Sequence, residues 1–143
     1  MNYVLIESLN DPDIPHLISI HNLPEHSRYI SINEKKYFKY VVKNDSVYYY
    51  KIFENNTLIG SVHCELSKKT MYLSLLVFPE FQGKGYGTKI IEQITSGVLP
   101  LDFKNIEVSI NDDNLSSLHI FEKVGFIKTS TDGGLINYIY TKR

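Results

Sequence analysis

The chain reads as one α+β domain, residues 1–143, with a central mixed, mostly antiparallel sheet flanked by about four helices. Three observations lead there. The hydrophobic period is helical in the first third of the chain and turns β-like from Val47 onward. Turn signals, not helical segments, separate three successive β-rich runs, so these form an antiparallel meander. After the meander a glycine-rich junction leads into a helix, and helix and strand then alternate.

Each element has its own signal. "NYVLIE" (2–7) is a first strand. A helix follows, with Asp13 as the expected N-cap, Pro15 in the first turn, an apolar stripe of Leu17, Ile18 and Ile20, and a stop at Pro24. Asn33 is the expected cap of a second helix, "EKKYFKYVVKN", in which Tyr37, Phe38, Val41 and Val42 keep helical spacing. The meander consists of Val47–Phe53, Leu58–Leu66 and Met71–Phe78, joined by "ENNT" and "SKKT". "TKIIEQITSGVL" places Ile90, Ile91, Ile94 and Val98 on one helical face. "NIEVSI" (105–110) is a further strand. A helix over 114–124 has Asn114 as N-cap and Gly125 past its end. "FIKTS" and "LINYIYTK" close the sheet around the hairpin turn Asp132-Gly133-Gly134. The order is β-α-α-β-β-β-α-β-α-β-β.

Composition narrows the function classes. Lysine plus arginine number 15 and acidic residues 16, a net charge of -1, so no electrostatic footprint for nucleic acid is present. The 11 tyrosines and 7 phenylalanines fall largely in the strand segments, where they serve as sheet formers more readily than as a platform for bases. Cys64 is the only cysteine, which rules out an internal disulfide and removes any need for an oxidising compartment. No basic-then-apolar leader and no apolar run of about 18 residues is present, so a cytoplasmic protein without a membrane partner is expected. No His/Cys/carboxylate spacing suggests a metal site.

The junction "FQGKGYGTK" (81–89) carries the first chemical signal. Glycines ahead of a helix let successive backbone N–H groups point into one concavity, and the first helical turn adds unpartnered N–H groups and positive dipole. The outcome is an anion cradle, with Lys84 and Lys89 nearby. It is not a Walker loop, because Lys84 is followed by Gly85 rather than Ser or Thr. It is not a dinucleotide fingerprint, because the glycines are spaced G-x-G-x-G and follow an antiparallel meander. A plain flexible loop and a phosphate site remain.

Two motifs together resolve this. Val77-Phe78-Pro79, followed by Gln82-Gly83-Lys84-Gly85-Tyr86-Gly87, resembles the V-x-P and [RQ]-x-x-G-x-[GA] signature of the GCN5-related N-acetyltransferases, the GNAT superfamily. Asn114-Leu115-Ser116-Ser117-Leu118-His119-Ile120-Phe121-Glu122-Lys123-Val124-Gly125-Phe126 resembles the second block of that family. Separation and element order agree along the whole chain, though up to about residue 55 the resemblance is in element order only.

The resemblance implies the GNAT fold and an acetyl-CoA-dependent N-acetyltransferase acting on a primary amine of a small molecule, peptide or protein. It implies acetyl-CoA as cosubstrate and no metal, and leaves a homodimer open. Backbone groups of Leu75, Leu76 and Val77 would pair with the pantetheine arm, and those of Gln82, Gly83, Lys84, Gly85, Tyr86, Gly87 and Thr88 would hold the pyrophosphate. Asn114 would contact the cofactor arm as well as cap its helix, and Phe121 completes the cofactor-binding set. An oxyanion donor is expected near Val77.

Two departures from the family pattern stand out. The usual proton-donating tyrosine is replaced by Phe121, leaving Tyr138 or Tyr140 as substitutes, an unassisted thiolate, or no catalysis at all. The strand glutamate of some members is replaced by Ser109, leaving Glu107 two residues earlier, Glu65, or His63 as the base. The second functional reading is therefore a non-catalytic acyl-CoA-binding or regulatory module. Cys64 alternates to the opposite face from His63 and belongs in the core.

Overall fold

Alternating apolar positions give each short strand one face to bury, and pairing satisfies its backbone. The computed structural model, which describes residues 1–23 and 34–142, joins seven strands in one sheet of order β1-β2-β3-β4-β5-β7-β6. The elements are β1 (Asn2–Leu5), α1 (Ile14–His21), α2 (Glu34–Lys43), β2 (Val47–Glu54), β3 (Thr57–Ser67), β4 (Thr70–Val77), a 3-10 turn (Pro79–Phe81), α3 (Tyr86–Thr95), β5 (Asn105–Asn111), α4 (Leu115–Val124), β6 (Ile127–Asp132) and β7 (Leu135–Thr141). Every neighbouring pair is antiparallel except β4 and β5. Parallel neighbours cannot share a tight turn, so α3 lies in the crossover between them.

The sheet is covered on both faces. On one, α1 and α2 set Leu17, Ile20, Phe38 and Val41 against Tyr49, Leu76 and Phe78. On the other, α3 and α4 set Ile90, Ile91, Ile94, Leu118 and Phe121 against Val62, Cys64, Met71, Ile106 and Val108. Burial of this kind is worth about 25 cal/mol per Å² of apolar surface and is the main term holding the layers together.

The predicted element order is present, with local differences. The glycine-rich helix begins at Tyr86 and ends at Thr95, not at residue 99. Gly97 has φ 93, a left-handed turn that stops the helix. Val98 is thereby thrown off the predicted apolar stripe and is 44% exposed, and Leu99 is buried in its place. Asp13 precedes α1 but makes no side-chain cap. Its carboxylate instead bonds Lys51 Nζ at 2.8 Å, beside Asp11 at 2.9 Å. The expected roles of Pro24 and Asn33 lie outside the described residues. Among the described residues, no helix is long and apolar enough to cross a membrane.

Burial opposes the charge on Lys51, and Asp13 and Asp11 more than offset it, so its pKa is raised. The pair clamps the entry of α1 to β2. Lys51→Ala leaves two neighbouring carboxylates without a cation and is expected to lower stability by about 2 kcal/mol in urea unfolding. A loss below roughly 0.5 kcal/mol would show that the clamp contributes little.

Candidate functional site

β4 and β5 pair only at Thr70 with Asn105, Met71 with Ile106, and Tyr72 with Glu107. Beyond Tyr72 the strands part, while β4 continues to Val77. The register with β3 decides which β4 groups face this gap. Phe78 N–H donates to Ile59 C=O at 2.9 Å. Antiparallel pairs alternate between bonded and non-bonded, so Leu76 and Ser74 also turn their backbone groups to β3. Leu75 and Val77 turn theirs into the gap. Of the three residues expected to offer backbone bonds, Leu76 therefore spends its own on β3, because register allows only every second residue to face outward.

The cradle stands at the far end of the gap. Gln82 Nε2 donates to Val77 C=O at 2.9 Å and ties the loop to the strand end. Gly85, at φ 85, is the N-cap of α3, and Gly83 is also left-handed at φ 73. L-residues avoid this region, and here it curls the loop so that the N–H groups of Tyr86, Gly87 and Thr88 open outward. Gly87 is required for a different reason: a Cβ there would lie 2.6 Å from Ile120 Cδ1. Glycine thus lets α3 start hard against α4. These residues suit a pyrophosphate group. Lys84 is exposed, its Nζ over the Phe81 ring at 5.8 Å. Lys89 Nζ lies 3.6 Å from Glu54.

At the near end the parting opens a cavity of about 560 Å³. It is lined by His63 and Glu65 of β3, Tyr72 and Ser74 of β4, Glu107 and Ser109 of β5, and Asn137 of β7. All lie on the α1–α2 face of the sheet by period-2 alternation. The structure thus brings Glu65, His63 and Glu107 into one cavity, and no lysine or arginine is part of its described lining. Ser109 is committed to Asn137, donating to Oδ1 at 2.5 Å.

Glu65 is the carboxylate held in place. Its Oε1 accepts from His63 Nε2 at 3.0 Å and from Tyr40 O–H at 2.9 Å. His63 Nδ1 meets Tyr37 Oη at 2.5 Å. Burial, with the nearby Tyr49 and Glu65, pushes the Tyr37 phenol well above its ordinary pKa, so it stays protonated. Tyr40 is raised chiefly by its bond to Glu65. Tyr37 and Tyr40 went unnoticed in the sequence as site residues. Their signal was available, since three-residue spacing puts them on one side of α2.

The remaining candidates lie elsewhere. Tyr138 sits on the α3–α4 face, opposite Glu65 and Glu107, and its ring is in the core with Phe121. Burial raises its phenol, as does a hydrogen bond to Glu122 on α4. Tyr140 packs on Phe126 at 5.5 Å. Phe121 is 4% exposed and edge-on to Phe126 at 5.0 Å, so its ring is packed into the core on the α3–α4 face. Asn114 caps α4 by accepting from Ser117 N–H at 3.4 Å. Among the described residues no group of three or more His, Cys, Asp or Glu could hold a metal ion.

The acetyltransferase (GNAT) family model matches residues 14–126. Comparison with curated protein sequences gives no significant match. Among solved structures, Campylobacter jejuni N-acetyltransferase PseH in complex with acetyl coenzyme A superposes with TM-score 0.78 at 16% identity, covering 99% of both chains. Vibrio cholerae spermidine N-acetyltransferase in complex with CoA and spermine gives 0.79 at 17%, covering 97% of this chain and 95% of that one. Aminoglycoside acetyltransferase AAC(6')-Ib in complex with coenzyme A gives 0.79 at 17%, covering 99% and 95%.

One cysteine lies close in sequence to this site, and its chemistry is checkable. Cys64 is fully buried and burial pushes its thiol up to about 12. The folded protein is therefore expected to release no colour with a disulfide thiol reagent at pH 8, against one equivalent in denaturant. Rapid reaction of the folded protein would contradict this placement.

Proposed function

The chain belongs to the acetyltransferase (GNAT) family, and from that premise we propose that it moves an acetyl group from acetyl-CoA to a primary amine held in the cavity. Acetyl-CoA, when bound, supplies the activated thioester carbonyl. The observation that carries the reading is the parted β4–β5 pair, with the cradle at one end and the acid/base cavity at the other. Residues 82–88 would hold the pyrophosphate through backbone N–H groups, and Leu75 and Val77 would bond the arm as an added strand does.

This geometry favours Leu75 over Val77 as oxyanion donor. Val77 adjoins the cradle through Gln82, whereas Leu75 is about two strand residues, roughly 6.6 Å, nearer the cavity. Glu65 is the general base in this reading, because two donors fix its direction while Glu107 has no such support among the bonds described. Phe121 offers no proton, so the thiolate leaves unassisted, which a thiol of pKa about 8.5 permits near neutral pH. The acceptor is an amine on a small molecule, peptide or protein, and the cytoplasm is the compartment this reading implies.

The test is thiol release from acetyl-CoA with a panel of monoamines, polyamines, aminoglycosides and lysine- or N-terminus-bearing peptides, run beside calorimetry with CoA. CoA binding and release that depends on one amine class are expected. CoA binding with no release for any amine would favour a non-catalytic acyl-CoA-binding module instead. Gly85→Asp should weaken CoA at least about tenfold, by strain and by charge against phosphate, while the neutral and left-handed-tolerant Gly85→Asn loses less. Equal CoA affinity in wild type and Gly85→Asp would remove the cradle from the account.

A further inference from the structure

The four-group chain on the α2 side of the cavity has an order that its contacts dictate. A carboxylate only accepts, so the proton between His63 and Glu65 belongs to Nε2. Neutral imidazole carries one ring proton, which leaves Nδ1 as an acceptor, and Tyr37 must donate to it. Both tyrosines project from α2 behind the cavity and neither lines it. Tyr37 is anchored by edge contacts to Phe38 at 5.1 Å and Tyr49 at 6.0 Å, so its hydroxyl has a fixed direction.

We propose that Tyr37 is a positioning residue: by donating to His63 Nδ1 it fixes the imidazole ring, whose Nε2–H with Tyr40 aims Glu65 so that its second oxygen receives the proton of the acceptor amine. The catalytic part rests on the acetyltransferase reading above. The tautomer rests on the hydrogen bonds alone. In the step concerned, an N–H bond of the ammonium breaks, its electron pair stays on nitrogen for attack, and an O–H bond forms on Glu65. Solvent later takes that proton. The groups facing Glu65 are Tyr37 and Tyr40 from α2, His63 on its own strand, Tyr72 from β4 and Glu107 from β5, with Tyr49 of β2 behind the imidazole. None of the described lining residues is a lysine or arginine that could substitute for the tyrosine and histidine donors.

The experiment has two arms on the full chain. Long-range proton–nitrogen correlation of histidine-labelled protein, with His63→Gln for assignment, should show His63 as the Nε2–H tautomer in wild type, with the Nδ1 resonance of Tyr37→Phe moved toward that of an unbonded acceptor nitrogen. With the best amine of the panel, Tyr37→Phe should lower kcat about tenfold and keep KM for acetyl-CoA. His63→Gln, whose amide can still donate to Glu65, should retain more activity than His63→Leu. An Nδ1–H tautomer in wild type overturns the proposal, and so does an unchanged kcat in a folded Tyr37→Phe. If no amine supports release, the acetyltransferase reading fails on that result, while the tautomer is still decided by the spectrum.

Discussion

Everything functional here follows from the parting of two parallel strands. β4 and β5 meet over three residue pairs and then diverge. A strand with no neighbour leaves N–H and C=O groups that must be met by something. In β4 those groups belong to Leu75 and Val77, since β3 takes up the alternate residues, and of them Val77 C=O is already met by Gln82 Nε2. The gap is therefore lined by backbone donors and acceptors whose spacing is that of a strand. An extended ligand with amide groups of its own fits such an edge better than a flat aromatic one does.

The sheet then separates two kinds of chemistry by its faces. On one side α3 and α4 pack tightly, with Gly87 against Ile120 and Phe121 against Phe126. That side gives apolar support and the cradle. On the other side α2 brings the hydroxyls of Tyr37 and Tyr40 over His63 and Glu65. Period-2 alternation along β3 puts Glu65 at the cavity and Cys64 in the core, one residue apart. The same rule sends Tyr138 to the side away from the carboxylates. Face assignment thus sorts the acid/base candidates more firmly than residue type does.

Much of this was legible in the residues. Asn55 and Asn56 both adopt left-handed φ, 49 and 64, as a two-residue hairpin turn demands, and "ENNT" signalled it. Gly83, Gly85 and Gly87 announced the cradle through backbone requirements that few other residues meet. Gly97 was less readily interpreted: the apolar spacing continued past it to Val98, and the left-handed turn won. Asp13 had cap chemistry, but the buried Lys51, 38 positions further along the chain, was a stronger partner for its carboxylate. The sequence pattern puts Tyr37 in an apolar stripe and does not single out Tyr40, because their hydroxyl partners on β3 become visible only once α2 lies over that strand. Tertiary pairing, not local pattern, fixes such contacts.

The parted strand as ligand edge is tested most directly by amide hydrogen exchange along β4 with and without CoA. Leu75 and Val77 should exchange fast in the free protein and slow on binding, while Leu76, already bonded to β3, should be slow in both states. Unchanged exchange at Leu75 and Val77 in protein saturated with CoA would contradict the account.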